Sequence, residues 1–412
     1  MRASAFVYPW DVVGDPDAPG RLAALGVQQV TLASAYHSTR ALTPRHPRHR
    51  IVTARHSAVL YPPDPVRWEG RRLRPYVQDW VVSDHEGGAY GEAAEALAEA
   101  GLDVHSWVVL AHNSRLGAEF PEVTVRNAYG DRYPWAPCAA RAEVREYAVT
   151  LAAEAAVPPG GRTRGTELES CGWYGFAHLH AHDKTAGVAL GGVGQYLMSL
   201  CFCDECSAGY AALGAEPESL RAAVTGALEP LWAGRRDQGA PGAAAREAEL
   251  AGVEAALGAE PAAVFAAWRG TVAARFQREA VAAVRARAGA DFRVLLHADP
   301  APHRVGANAG VDPSDVLEHA DGLVLPCAGG QGEGAAAERA AVLDPFAPHR
   351  REGSTLAANF TFVKGMGGSP GTLADDIRHA REHGATEVRL YHAGLASASD
   401  LSAAGAALAA VG

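Results

Sequence analysis

Short runs of β-favouring apolar residues alternate with longer Ala/Leu/Arg/Glu segments of helical period along almost the whole chain, and this alternation limits the fold more than any other feature. Strand followed by helix, repeated, is the pattern of a parallel sheet. Eight strand candidates can be read, at residues 5–9, 29–36, 105–112, 166–170, 292–297, 322–327, 355–360 and 387–392. Most are hydrophobic at nearly every position, as strands covered on both faces must be. Several helices carry their own stop signals: 87–100 runs to Gly101, 143–156 to Pro158 and Gly160, and 373–383 to Gly384. Eight such units predict an α/β fold of the (β/α)8 TIM-barrel class. An open doubly wound sheet is the alternative, but no Gly-x-Gly-x-x-Gly follows the first strand where that fold would place it.

The 412 residues are read as one barrel, 1–412, with two connections too long to be plain loops. The insertion after strand two, 37–104, holds an Arg/His/Pro-rich stretch at 43–50, a β-like run at 51–60, and Trp68. The insertion after strand four, 171–290, holds a cysteine cluster and several helices, and ends in a long helix around 262–288. Both follow the C-terminal end of a strand, where a TIM barrel builds its active site, so both are expected to wall the pocket. The Ala-rich stretch 239–258 reads equally well as packing against the barrel. No internal repeat of solenoid or propeller period is present.

Charge and hydropathy exclude several classes. The net charge of −10, from 47 acidic and 37 basic residues, argues against a nucleic-acid partner. No stretch approaches the ~20 uninterrupted apolar residues needed to span a bilayer, and the N-terminus has neither a leader core nor a cleavage site. The expected location is therefore cytoplasmic, with no membrane partner. In that setting six cysteines are expected to be metal ligands, catalytic groups or buried thiols, not disulfides.

The most specific motif is Cys201-Phe-Cys203-Asp-Glu-Cys206. Three thiols this close can converge on one soft cation, and a zinc ion asks for a fourth ligand to complete its tetrahedron. Cys138, just before the third helix, is the first candidate for that ligand and Cys171 the second. A site closed by four thiolates would make the zinc structural, pinning the large insertion to the barrel. The competing reading is a set of reduced, unliganded thiols at a helix N-terminus.

On these residues the chain resembles the zinc-containing β-galactosidases of glycoside hydrolase family 42. There, a Cys-x-Cys-x-x-Cys follows the fourth barrel strand and a lone cysteine precedes the third helix, which match Cys201, Cys203, Cys206 and Cys138 here. The stretches 126–130, 143–147 and 268–276 look like the corresponding parts of that family, and the resemblance covers about residues 100–300. It implies a TIM-barrel glycosidase with a structural zinc and a carboxylate pair, in a family whose members are often trimers. Two positions depart from the pattern. Leu168 stands where the family has the asparagine of its Asn-Glu acid/base pair, and residues 357–362 hold no carboxylate where the family places its nucleophile.

Glycoside hydrolysis usually needs one carboxylic acid to protonate the leaving oxygen and a second carboxylate as nucleophile or base. Glu167 and Glu169 lie two apart on strand four and so share a face, with Glu169 nearer the mouth. Glu169 is the expected general acid, unless it is a structural carboxylate paired with an arginine. A buried Glu167 requires polar company or a function. Asp299, at the end of strand five, or Glu167 would be the partner; an inverting pair would stand roughly 6.5–9.5 Å apart. Asp11, Asp84 and Glu86 are further candidates, the last two read in preference as the N-cap and first turn of the next helix.

Several of the 17 histidines fall at predicted strand ends, among them His37, His112, His297 and His392. The run His178, His180, His182 could hold a second, catalytic metal. Tyr8, Trp10, Trp107, Trp173 and Tyr174 could stack on a sugar ring, and Asn113 and Asn359 could bind its hydroxyls. Cys327 could be a nucleophile, though a buried thiol is the plainer reading. The Gly-rich loops 329–334 and 365–368 follow strands six and seven, where barrels often bind phosphate. No Walker A, nucleophile elbow or His-Glu-x-x-His is present. The expectation is a glycoside hydrolase acting on a small sugar or glycosylated metabolite, a small-molecule carbohydrate partner, and a possible homo-oligomer. The alternatives are a metal-dependent barrel hydrolase using the histidine run, and a sugar-binding barrel without catalysis.

Overall fold

The computed structural model describes residues 1–176, 183–235 and 243–412. Eight parallel strands close on themselves: β1 (Arg2–Val7), β2 (Gln29–Tyr36), β3 (Asp103–Val109), β4 (Thr163–Glu169), β5 (Arg293–Asp299), β6 (Gly322–Pro326), β7 (Thr355–Thr361) and β8 (Glu387–Tyr391). Each pairs with the next, and β1 pairs with β8, Ser4 opposite Arg389, which closes the cylinder. The main return helices are α1 (Ala18–Ala24), α2 (Gly88–Glu99), α3 (Ala142–Ala156), α4 (Ala259–Arg287), α5 (Pro313–His319), α6 (Glu333–Leu343), α7 (Leu373–Glu382) and α8 (Ala398–Val411). The protein is a (β/α)8 TIM barrel, and the open sheet is excluded.

All eight expected strands form, with end shifts that have local causes. β1 stops at Val7, not at residue 9, because Pro9 has no N–H to donate and starts a short 3-10 turn, Pro9–Asp11. Within that turn the Tyr8 N–H donates to the Asp11 carboxylate at 2.8 Å. The expected β-like run 51–60 is two strands. Ile51–Ala54 pairs antiparallel with Thr39–Leu42 in a hairpin, and Ala58–Val59 pairs antiparallel with the end of β2. The Arg/His/Pro-rich stretch is the connection inside that hairpin. α2 begins at Gly88 with Gly87 as its N-cap, so Asp84 and Glu86, both exposed, are neither cap nor first turn.

The segment after β2 is anchored by a buried glutamate on α3. Glu154 accepts hydrogen bonds from the Trp68 indole at 2.8 Å, the Asp64 backbone at 2.8 Å and the Tyr61 hydroxyl at 3.2 Å. After β4 the chain forms helices Gly191–Met198, Asp204–Ala212, Pro217–Trp232 and Ala243–Leu257 before α4. The barrel interior below the mouth holds charge as well as hydrocarbon. Glycine at 165 makes room for this: a Cβ there would lie 2.7 Å from the His105 ring. Among the described residues no helix is long and apolar enough to cross a membrane.

Candidate active site

The strand ends and the long connections enclose a cavity of about 1460 Å³ at the C-terminal mouth of the barrel. Its floor is set by residues at or just beyond strand ends: Tyr8 after β1, Tyr36 and His37 at β2, Glu169 at β4 and Tyr391 at β8. His112 and Tyr174 join them, their rings stacked with centroids 4.5 Å apart. Glu169 is the one carboxylate lining this cavity among the described residues.

The alternation of β4 places both of its glutamates inward at different depths. Glu169 Oε2 accepts from the Trp107 indole N–H at 2.7 Å, and no described residue donates to its other oxygen. Glu167 lies fully buried one layer deeper. Its Oε1 accepts from Arg389 Nε at 2.7 Å and from Gln29 Nε2 at 3.4 Å, and His105 Nδ1 lies 3.7 Å away. Burial alone would raise the Glu167 pKa, but the Arg389 charge and the two imidazoles His105 and His297 outweigh it and hold the group well below the usual carboxylate range. Arg389 also bonds Glu387 at 2.9 Å, and Glu387 bonds Arg293 at 2.8 Å. The polar company expected of a deep Glu167 is this network. His297, on β5, stands between the two glutamates, with Nε2 3.7 Å from Glu167 Oε2 and Nδ1 3.9 Å from Glu169 Oε2.

The phenols around Glu169 are held neutral. Burial, followed by the neighbouring Tyr391 phenol, raises Tyr8 and Tyr36 well above the ordinary value. Burial and the nearby Glu169 charge push Tyr391 up to about 12. The Tyr8 hydroxyl donates to that of Tyr36 at 3.2 Å. Tyr8 is itself clamped between Trp10, 4.4 Å away, and His392, 4.2 Å away. Burial, then the Arg45 charge, pushes His392 down to about 3, so it is neutral, and burial lowers His37 as well. Of these groups Tyr8, Tyr36, Tyr391 and His37 line the cavity and offer it hydroxyls and an imidazole, suited to a polyhydroxylated ligand.

Other expected site residues fall elsewhere. Asp299 lies outside the cavity lining, its carboxylate taken by Arg246 at 3.1 Å and by the Ala301 N–H at 2.9 Å. Asp11 is also outside the lining; burial raises it to about 7. Asn113 caps the helix Ser114–Glu119, accepting from Leu116 N at 3.0 Å. Trp173 donates to the Arg269 carbonyl at 3.0 Å and packs away from the cavity. Trp10, His297, Asn359 and His392 do not line it either. His178, His180 and His182 lie outside the described residues. Burial pushes the Cys327 thiol up to about 12, which leaves it protonated and a poor nucleophile. Tyr36 and Tyr391 are site residues that the motif reading missed; each is the last residue of a barrel strand, and that position was the available signal.

A second cluster forms beside the barrel. Cys138, Cys201, Cys203 and Cys206 are all buried, with their four sulfurs within 4.8 Å of one another. Cys138 Sγ lies 3.7 Å from both Cys203 Sγ and Cys206 Sγ. Those distances are far too long for disulfides. They fit the edge of a tetrahedron, which is about 3.8 Å for sulfurs ~2.3 Å from a central ion. Backbone N–H groups of Arg126 and Cys203 point at Cys201 Sγ, at 3.5 and 3.4 Å, as they would at a thiolate. Cys171, the other candidate for fourth ligand, is not in the cluster; its carbonyl accepts from Gln277 at 3.2 Å. The four cysteines can bind a metal ion.

No protein-family model matches the chain, and no curated protein matches it at a significant level. Solved structures do match in shape. α-L-Fucosidase isoenzyme 2 from Paenibacillus thiaminolyticus aligns over 100% of this chain and 49% of its own, with a TM-score of 0.55 at 13% identity. The β-galactosidase from the psychrophilic Marinomonas ef1 aligns over 99% of this chain and 59% of its own, with a TM-score of 0.53 at 11% identity. The chain therefore spans about half to three-fifths of the length of these two structures. What this likeness establishes is the barrel fold alone.

Proposed function

We propose that the protein is a glycoside hydrolase-like enzyme acting on a small sugar or glycosylated metabolite, with Glu169 as its acid/base and a structural zinc held by Cys138, Cys201, Cys203 and Cys206. The observation that carries the reading is that Glu169, the one carboxylate lining the cavity among the described residues, stands at the floor of a large cavity lined by phenols and imidazoles. The Trp107 indole fixes one oxygen of Glu169 and leaves the other for the leaving group. Neutral Tyr8, Tyr36 and Tyr391 can each hydrogen-bond sugar hydroxyls, and Tyr174 and Phe176 offer ring faces for stacking. The role of second carboxylate does not pass to Glu167 or Asp299, since each already neutralises a guanidinium away from the cavity. Glu167 and His297 instead support Glu169 from below.

A panel of chromogenic glycosides tests this. Wild type should hydrolyse at least one, and Glu169→Gln should lower kcat roughly 10²–10⁴-fold. Equal turnover by the two would remove Glu169 from the mechanism. That no second carboxylate lines the cavity among the described residues also favours a second reading, a sugar-binding barrel without catalysis. Sugar binding with no hydrolysis across the panel would establish that reading. The metal-hydrolase alternative, on residues outside the described ones, requires more than one tightly held metal ion per chain.

A further inference from the structure

We infer that the substrate carries a bulky apolar aglycone, held in the outer part of the cavity above Glu169. This rests on the glycosidase reading and names its substrate class. The cavity volume of about 1460 Å³ exceeds the roughly 300–1,000 Å³ of common small-ligand sites, so a small sugar alone leaves most of it unfilled. Its chemistry divides with depth. The strand ends supply the carboxylate, phenols and imidazoles. The connections beyond them supply Leu42 from the hairpin, Phe176 and Leu190 after β4, Val363 and Met366 after β7, and Leu395 after β8, interspersed with polar side chains such as Thr39, Thr53, Thr185 and Gln195.

Two of these side chains stand in water at a cost: Leu42 is 62% exposed and Met366 45%. A single exposed leucine means little, but apolar side chains from four separate connections meeting on one cavity mark a surface made to be covered. Because this wall is continuous with the Glu169 floor, the group that covers it is attached to the sugar. The rim cations do not point to an anionic aglycone: Arg55 already pairs with Asp79 at 3.7 Å, which leaves Arg40 alone among the described lining residues.

The test is equilibrium binding of methyl, butyl and octyl thioglycosides of glucose, galactose and fucose, kept below their micelle concentrations. These resist hydrolysis, so binding is read without turnover. Affinity for the favoured sugar should rise roughly three- to fourfold per added methylene until the wall is covered. In the Leu42→Ser/Met366→Ser double variant the octyl-to-methyl ratio should fall roughly tenfold; both positions are exposed, so the fold does not depend on them. A flat chain-length series, an octyl gain undiminished in the double variant, or tighter binding of a carboxylate-bearing or sugar aglycone would each overturn the inference. A protein that gains affinity with chain length yet hydrolyses no glycoside would sink the hydrolase reading and keep this one. Hydrolysis of chromogenic glycosides with a flat series would do the reverse.

Discussion

Arg389 sits at the centre of the barrel with none of its surface exposed, between the carboxylates of Glu167 and Glu387. A buried pair of this kind adds little net stability, but removing one partner strands the other charge without solvent. Arg389→Met is therefore expected to cost about 3–5 kcal/mol in urea unfolding, and a loss below about 1 kcal/mol would show that the carboxylates find other partners. At this scale the sequence was half legible. Alternation along β4 showed that Glu167 and Glu169 share a face and that the deeper one needs a partner. It could not show the partner as Arg389, 222 residues further on, nor that Asp299 would be taken up by Arg246. A further residue-level feature had no signal: Ser170, next to Glu169, has a backbone φ of 56°, the left-handed region that non-glycine residues adopt at a cost of order 1–3 kcal/mol.

At the scale of elements, the four cysteines join the strand Arg132–Pro137, which runs up to Cys138, to the start of the helix Asp204–Ala212. A bound ion there would clip the segment after β4 to the barrel. Metal analysis of the purified protein should find one zinc per chain, resistant to mild chelation. Cys138→Ser should lose most of that zinc, lower the Tm by several degrees and expose the connection around 199–235 to protease before the barrel itself unfolds. Unchanged zinc content in the variant would exclude Cys138 as a ligand. The three clustered cysteines were legible because they are local. The fourth was a choice between two, and the sulfur positions favour Cys138. The hairpin was less legible: a continuous β-like run gave no sign that its halves would pair with different strands, since pairing is set by partners and not by propensity.

For the whole molecule, the charges inside the barrel predict its behaviour in acid. Burial would raise Glu387, but Arg389 and Arg293 outweigh it and hold the group at about 2, against 4.5 when free. A carboxylate depressed by folding contributes stability that is complete above its unfolded pKa and is lost as pH falls through its folded one. Stability should thus decline as pH drops from about 4.5 towards 2, with a shallower decline in Glu387→Gln. Equal slopes for the two proteins would mean that Glu387 titrates alike in both states.

The sequence by itself determined the number, order and approximate limits of the eight units, and hence the barrel. Continuous apolar runs, helical period and glycine stops are local properties, and local sterics and burial act on them directly. It also determined that Glu167 and Glu169 would share a face, with Glu169 the nearer to the mouth if that face is the interior. Only the tertiary structure decided that Tyr8, Tyr36 and Tyr391 would surround that carboxylate, that Asp299 and Trp173 would turn away from it, and that apolar side chains from four connections would meet on one cavity. Those outcomes depend on which side chains meet across the closed cylinder. Residues from both ends of the chain become neighbours only when β8 pairs with β1.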